Sequence, residues 1–287
     1  MKGCLALGDF ELIWLDGGRF ELDGGTTFGP VPKVLWGKKY PCDAENYVPI
    51  SAWPVLVKTP QALVVIEAGL GNKLTEKQKQ IFRVRGEWRV PQDLASLGLR
   101  REDIDYVLLT HYDWDHSAGV VMQEEGELKL TFPRARHVVQ RKEWEDVLHP
   151  NRRSGSTYWP VNSELLRQSG NLELVDGAEE VVDGIRVLLS GGHTRGHQII
   201  TMESRGERAI HLGDLLPTHA HFNPLWITAY DNFPLDSIAM KEQWERWALE
   251  HGAWFTLYQD GSYLACRFDE KGNVMEKVEA QERKRPV

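Results

Sequence analysis

The run Thr110-His111-Tyr112-Asp113-Trp114-Asp115-His116 places four groups able to bind a cation within six residues: His111, Asp113, Asp115 and His116. It directly follows the apolar stretch Tyr106-Val107-Leu108-Leu109, which reads as a buried strand. A strand that ends in clustered imidazoles and carboxylates delivers ligands into a cleft. By chance the pattern H-x-D-x-D-H arises in about one chain of this composition in a thousand.

Two later segments repeat the arrangement. Gly191-Gly192-His193-Thr194-Arg195-Gly196-His197 follows Val187-Leu188-Leu189, and Ile210-His211-Leu212-Gly213-Asp214 closes another apolar run. Three strand ends carrying ligand types imply one shared cleft. A dinuclear hydrolytic centre uses His nitrogens and carboxylate oxygens at about 2.0–2.2 Å, with one oxygen bridging cations roughly 3.5–4 Å apart. Asp214 is the candidate bridge.

The order H-x-[H/D]-x-D-H, then G-H-T-x-G-H, then G-D resembles the metallo-β-lactamase-fold hydrolases, and within them the branch that contains N-acyl-homoserine lactonases. Leu15-Asp16-Gly17-Gly18, Ile66-Glu67-Ala68-Gly69-Leu70-Gly71, Leu216-Pro217-Thr218 and Tyr230-Asp231 are similar to further elements of that branch, so the resemblance covers nearly the whole chain. It implies a four-layer αβ/βα sandwich of the α/β class, with the metal site between two pseudo-duplicated halves. It also implies a first cation on His111, Asp113 and His193, a second on Asp115 and His116, and Asp214 between them. The family's last ligand is a late His in a context like Phe-x-His-Asp. Here Leu257-Tyr258-Gln259-Asp260 puts Gln259 at that position, and Asp113 replaces a second His of the first loop.

Exchanging imidazole for carboxylate makes a site harder and more negative, which favours Mn²⁺ or Fe²⁺ relative to zinc, although zinc retains the higher intrinsic affinity. An amide oxygen such as that of Gln259 is a poor zinc ligand. The expectation is one or two divalent cations, zinc in first place with manganese and iron as alternatives. His111, Asp113 and His193 are also a two-His, one-carboxylate set of the type that holds non-haem iron.

The other histidines carry less. His197 matches a supporting position, and His211, three residues before Asp214, is expected on the opposite strand face. His219 and His221, on the loop leaving the Asp214 strand, are candidates for lining the cleft. His137 and His149 read as structural, and His251, before Gly252, suits a helix end where a cation meets the dipole.

These ligands need elements to position them. With 287 residues and 41% hydrophobic content, the chain can bury a sizeable core, and we expect one domain over 1–287. Strands are expected at Glu11–Leu15, Leu63–Ile66 and Ala253–Leu257, with a short helix from Pro91 to Gly98. A longer helix is expected from Ser237 to Glu250, with Asp236 as N-cap, a Leu235–Met240 staple and a core stripe of Met240, Trp244, Trp247 and Ala248. Between Gly17 and Pro54 the Gly- and Pro-rich sequence reads as a long irregular excursion. Eleven Trp is high for this length. Trp36, Trp53, Trp159 and Trp226 read first as packing anchors and second as walls of an apolar cleft.

Composition removes several function classes. A formal net charge of −8 argues against nucleic-acid binding, and the Arg283-Lys284-Arg285 run reads as a short solvated tail. Cys4, Cys42 and Cys266 are few, odd in number and widely spaced, which points to a reducing cytoplasm. No apolar run has the length of a membrane span or of a secretory leader. A small-molecule substrate is expected, and the Arg152-Arg153 pair is a candidate for binding an anionic group on it.

The leading expectation is a metal-dependent hydrolase of an ester or lactone. The cation would lower the pKa of water to about 7 and polarise the carbonyl, and Asp115 would orient the nucleophile or carry its proton. Two alternatives remain open: a degenerate member that binds a metal or small molecule with little turnover, and an iron-dependent redox enzyme on the same fold.

Overall fold

The computed structural model describes residues 3–280, and the Arg283-Lys284-Arg285 tail lies outside them. Two seven-stranded mixed sheets carry the chain. The first runs Cys4–Leu7, Phe10–Trp14, Val55–Lys58, Leu63–Ile66, Tyr106–Leu108, Arg136–Gln140, Leu172–Val175, with the last four strands parallel. The second runs Ala178–Val182, Ile185–Leu189, Gln198–Ser204, Glu207–His211, Trp254–Thr256, Tyr263–Phe268, Val274–Glu279, and its one parallel pair is Glu207–His211 with Trp254–Thr256.

Period-two alternation decides which layer each side chain joins. Leu12, Trp14, Val64 and Ile66 point between the sheets, where they meet Val187, Ile200, Met202 and Ala209. Ile13, Leu15 and Val65 point outward against the Val90–Ser96, Arg141–Leu148 and Pro160–Ser169 helices. On the far side, Ile199, Ile210, Phe255 and Phe268 pack under the Pro234–Glu250 helix. Helices therefore cover both outer faces, giving the expected four-layer αβ/βα sandwich.

The Leu63–Ile66 strand and the short helix before Gly98 lie where the sequence places them. The long helix differs in three ways. It begins at Pro234, with Phe233 and not Asp236 at the N-cap, because proline's fixed φ suits the first helical turn. Leu235 is 80% exposed, so no staple forms. Its fully covered stripe is Ser237, Lys241, Glu245 and Ala248, while Met240, Trp244 and Trp247 pack half-buried beside it. Lys241 tolerates burial because Nζ donates to the carbonyls of His221, Asn223 and Trp226, tying the helix to the loop after Asp214.

Residues 17–54 are not an irregular excursion. Arg19–Asp23 pairs with Tyr47–Ser51 as an antiparallel hairpin, and two short helices, Gly24–Phe28 and Lys33–Trp36, lie between the strands. Phe20, Phe28, Trp36 and Tyr40 form a buried aromatic cluster with Trp114 and Tyr258, and Trp36 stacks on Phe28 at 4.6 Å between ring centroids. Aromatic burial supplies the order that Gly and Pro content obscured.

Candidate metal centre

Four of the expected ligands follow strands, and Asp115 and His116 lie on the short Trp114–Ser117 helix. His111 follows Tyr106–Leu108, His193 follows Ile185–Leu189, Asp214 follows Glu207–His211 and Gln259 follows Trp254–Thr256. Gln198 bridges the two sheets at this edge: its backbone N donates to Thr110 O at 2.8 Å and its Nε2 to Leu109 O at 2.8 Å. Asp113 precedes the short Trp114–Ser117 helix without using its carboxylate as a side-chain cap. That carboxylate is therefore free to face inward. Gly213 has φ 52°, and a Cβ there would come within 2.8 Å of His197 Nε2 and of the Thr110 hydroxyl. Glycine lets the turn present Asp214.

One atom each from His111, His193 and Asp214 lie within 4.8 Å of one another. Asp113 Oδ2 joins them, 3.7 Å from His111 Nε2 and 3.4 Å from His193 Nε2. Asp214 spans two groups: Oδ2 lies 3.8 Å from His193 Nε2, and Oδ1 lies 3.0 Å from His116 Nε2. Asp115 Oδ2 is 3.5 Å from His116 Nε2, and Gln259 Nε2 is 2.8 Å from Asp115 Oδ2. The structure thus brings all seven expected residues into one cluster.

Supporting hydrogen bonds fix the imidazole tautomers. The Thr110 hydroxyl has one proton, which goes to Glu67 Oε1 at 2.5 Å, so its lone pair accepts from His111 Nδ1 at 2.9 Å. His111 Nε2 is left as a bare lone pair. Asp231 Oδ1 accepts from His193 Nδ1 at 2.9 Å and from the Thr228 hydroxyl, so that in the neutral ring the His193 lone pair is on Nε2 in the same way. His116 Nδ1 lies 3.2 Å from Glu67 Oε1. One carboxylate therefore orients ligands on both sides of Asp214, an outer-shell arrangement typical of metal-binding histidines.

Glu67 is fully buried at φ 63°, an uncommon conformation for a residue other than glycine. Burial alone would raise its carboxyl, but His116 and His211 outweigh this and hold it at about 2. Glu143, also fully buried, accepts from Tyr112 N, the Tyr158 hydroxyl and the Thr194 hydroxyl, joining the loops that carry His111 and His193. Burial pushes its carboxyl up to about 7 against those three bonds. In the sequence Glu67 and Asp231 stand out only as parts of similar segments, and Glu143 does not stand out at all. A carboxylate closing an apolar strand, as in Val64-Val65-Ile66-Glu67, is the signal that was available.

The cluster has the character of a cation site. Among the described residues, the ion-pair partners of Asp113, Asp115 and Asp214 are all histidines. Burial, opposed by His116 and reinforced by Asp214 and Asp113, pushes Asp115 up to about 7. Burial would lower His116, yet Asp214, Glu67 and Asp115 hold it well above the ordinary imidazole range. His111 Nε2 and His193 Nε2 are buried without a hydrogen-bond partner. Converging lone pairs and unbalanced carboxylates fit a divalent cation at the His111, Asp113, His193 and Asp214 position.

The remaining candidates lie elsewhere. His221 is buried, stacked on Phe28 at 4.5 Å, and bonded to Thr27 O; burial pushes it down to about 3. His219 is held by Asp260 at 2.5 Å. His197 bonds Ser190, and His211 bonds Thr256 and lies 3.6 Å from Glu67. Arg153 donates to the carbonyls of Ala229 and Asp231, so its role is to hold the loop that carries Asp231. Trp36 and Trp53 are buried anchors, whereas Trp159 is half-buried and stacks on Trp114 at 5.2 Å.

A family model described as the metallo-beta-lactamase superfamily matches residues 48–246. A probable metallo-hydrolase of Mycobacterium tuberculosis is 25% identical over 175 residues, 56% of this chain and 55% of its own length. An N-acyl homoserine lactonase of a Bacillus species is 28% identical over 153 residues, 53% of this chain and 54% of its own length. The matches thus span about half the length of these curated relatives. Among solved structures, a probable metal-dependent hydrolase from Staphylococcus aureus superposes with a TM-score of 0.92 at 40% identity, covering 98% of this chain and all of that one. The dizinc quorum-quenching lactonase AidC, solved with a product N-acyl homoserine, superposes with a TM-score of 0.77 at 20% identity and 98% coverage of each chain, a likeness of fold.

Proposed function

Because the chain belongs to the metallo-beta-lactamase superfamily, we propose that it is a metal-dependent hydrolase of an ester or lactone. The observation that carries this reading is the convergence of the bare His111 and His193 Nε2 lone pairs on the Asp113 and Asp214 carboxylates. The lactonases among its relatives and structural neighbours favour the lactone class. His111, Asp113, His193 and Asp214 would hold the cation, which, when bound, supplies acidified water and polarises the substrate carbonyl.

The protein's own groups then divide the work. The Asp113 and Asp115 side chains are 15% and 10% exposed while His111 is fully covered, so substrate approaches from the carboxylate side. Asp115 is placed to accept a proton from the attacking water on its carboxylate and return it to the departing alkoxide. The buried Tyr230 hydroxyl has no hydrogen-bond partner and feels the charges of Asp214 and Asp115. It is a donor available to oxygen on a substrate carbonyl. Asp231 and Glu67 keep the histidine lone pairs aimed inward, and the surrounding aromatic side chains limit water entry.

A panel of lactones, aryl esters, thioesters and phosphodiesters tests the reading. At least one ester or lactone activity should disappear with chelator and return preferentially with Zn²⁺, Mn²⁺ or Fe²⁺. Asp115→Asn should reduce its kcat by roughly 10²–10⁴-fold, the usual range for a lost proton-transfer group. Activity that survives both chelation and Asp115→Asn removes the proposal.

A further inference from the structure

The position beyond Asp214 differs from the first in one respect: a side-chain amide, that of Gln259, sits among its ligand atoms. Gln259 Nε2 lies 2.8 Å from Asp115 Oδ2, 3.2 Å from His116 Nε2 and 3.4 Å from Asp214 Oδ2. Those three side chains supply the donor atoms a second cation would need. The side-chain orientation follows from charge. With the amide reversed, the carbonyl oxygen would face two carboxylate oxygens with no proton between them, whereas the NH₂ group brings its two protons to those two oxygens, Asp115 Oδ2 and Asp214 Oδ2. Oε1 lies on the other side, buried and without a partner.

The side chain is also fixed in place. Gln259 is 1% exposed, and its carbonyl accepts from Ser51 N. Its neighbours are pinned as well: the Tyr258 hydroxyl donates to Asp115 O at 2.6 Å, and Asp260 accepts from the backbone of His219, Ser262 and Tyr263. Withdrawal of the amide would require the strand end to move.

We infer that the centre is mononuclear and that the Gln259 amide stands in place of a second cation, holding Asp115 and Asp214 by hydrogen bonds where a dinuclear relative would hold them by metal. The inference rests on the metal-centre reading above. It also places Asp115 as a carboxylate held beside a single cation, free of direct ligation.

The test is metal stoichiometry of the full chain. Protein stripped with chelator is titrated with Zn²⁺ by calorimetry, bound metal per chain is measured after desalting, and Mn²⁺-loaded protein is examined by electron paramagnetic resonance. The expected result is one tight equivalent, a second roughly 100-fold or more weaker, and an isolated Mn²⁺ spectrum without coupling between ions. Two equivalents of similar affinity, or a coupled Mn²⁺ pair, overturn the inference. No tight equivalent at all overturns the metal-centre reading itself, so the two failures are distinct. Gln259→His should raise the tight stoichiometry to two, and Gln259→Glu, which replaces the N–H donors with an anionic oxygen, should do the same. A folded variant of either kind that still binds one ion also counts against the assignment. Should both variants fail to fold, the titration of the unaltered chain decides alone.

Discussion

Asp214 divides the cluster into two halves built from similar residues and left in opposite states. On one side, His111 Nε2 and His193 Nε2 are buried with no partner, and each Nδ1 is anchored behind it, by Thr110 and by Asp231. On the other, His116 Nε2 and Asp115 Oδ2 both lie within reach of the Gln259 amide. Burying unpaired lone pairs costs roughly 1–3 kcal/mol each, so a protein that keeps several together has an occupant for them. Pairing them internally removes that demand. Ligand types alone therefore do not count the cations; the partners of the ligand atoms do.

The largest expected effect falls on the first half. Replacing His111 and His193 together by Ala removes both bare lone pairs and should abolish tight metal binding, while the sandwich, whose core lies between the sheets and under the helices, stays folded. Elemental analysis with circular dichroism checks this. Stoichiometric metal in the folded double variant would show that the occupied half is the other one and invert the comparison.

A smaller effect is expected one shell out. Asp231→Asn keeps the size of the side chain but weakens its hold on the His193 Nδ1 proton, and losses of such outer partners typically lower metal affinity by about 10–100-fold. Glu67→Gln touches both halves at once, through Thr110 for His111 and directly for His116. If one half is empty of metal, the Glu67 change should cost no more tight equivalents than the Asp231 change. Loss of one equivalent in Asp231→Asn but two in Glu67→Gln, read by competitive titration, would restore a dinuclear centre.

Much of this was legible in the sequence because the ligands are local. His111 to His116 form one run, and His193 and Asp214 each close an apolar stretch whose alternation sets the layer it joins. Gln259 was legible as a substitution but not as a hydrogen-bond donor, since its orientation depends on Asp115, 144 positions away. Glu67 and Asp231 were legible as parts of motif segments but not in their roles, for the same reason: their partners Thr110 and His193 are distant in sequence. The stretch from Gly17 to Pro54 misled for a different cause. Its turns are written in Gly and Pro, but its order comes from Phe28 and Trp36 packing under Trp226 and His221, contacts with no local signature.

The smallest effect separates acid loss of metal from acid loss of the fold, which would otherwise blur the comparison at low pH. His137, on Arg136–Gln140, is fully buried, with Nδ1 3.1 Å from Ala135 O, and burial lowers it from 6.5 to about 4. Its folded value lies below its unfolded one. Above about pH 6.5 both states are neutral and the group's contribution is intact. As pH falls from there toward 4, the unfolded chain takes up a proton that the folded chain refuses, and up to about 3 kcal/mol is lost. His137→Phe keeps a ring in the strand and removes the titration, at a neutral-pH cost of about 1 kcal/mol for the hydrogen bond to Ala135. In chelator-treated protein, thermal midpoints of this variant should fall less steeply between pH 6.5 and 4 than those of the unaltered chain. The pH at which bound metal is released should be the same in both, because His137 touches none of the ligands. Equal slopes would mean that His137 does not set the acid limit of the fold, and a shifted metal-release point would mean that strand and site are coupled through more than the backbone they share.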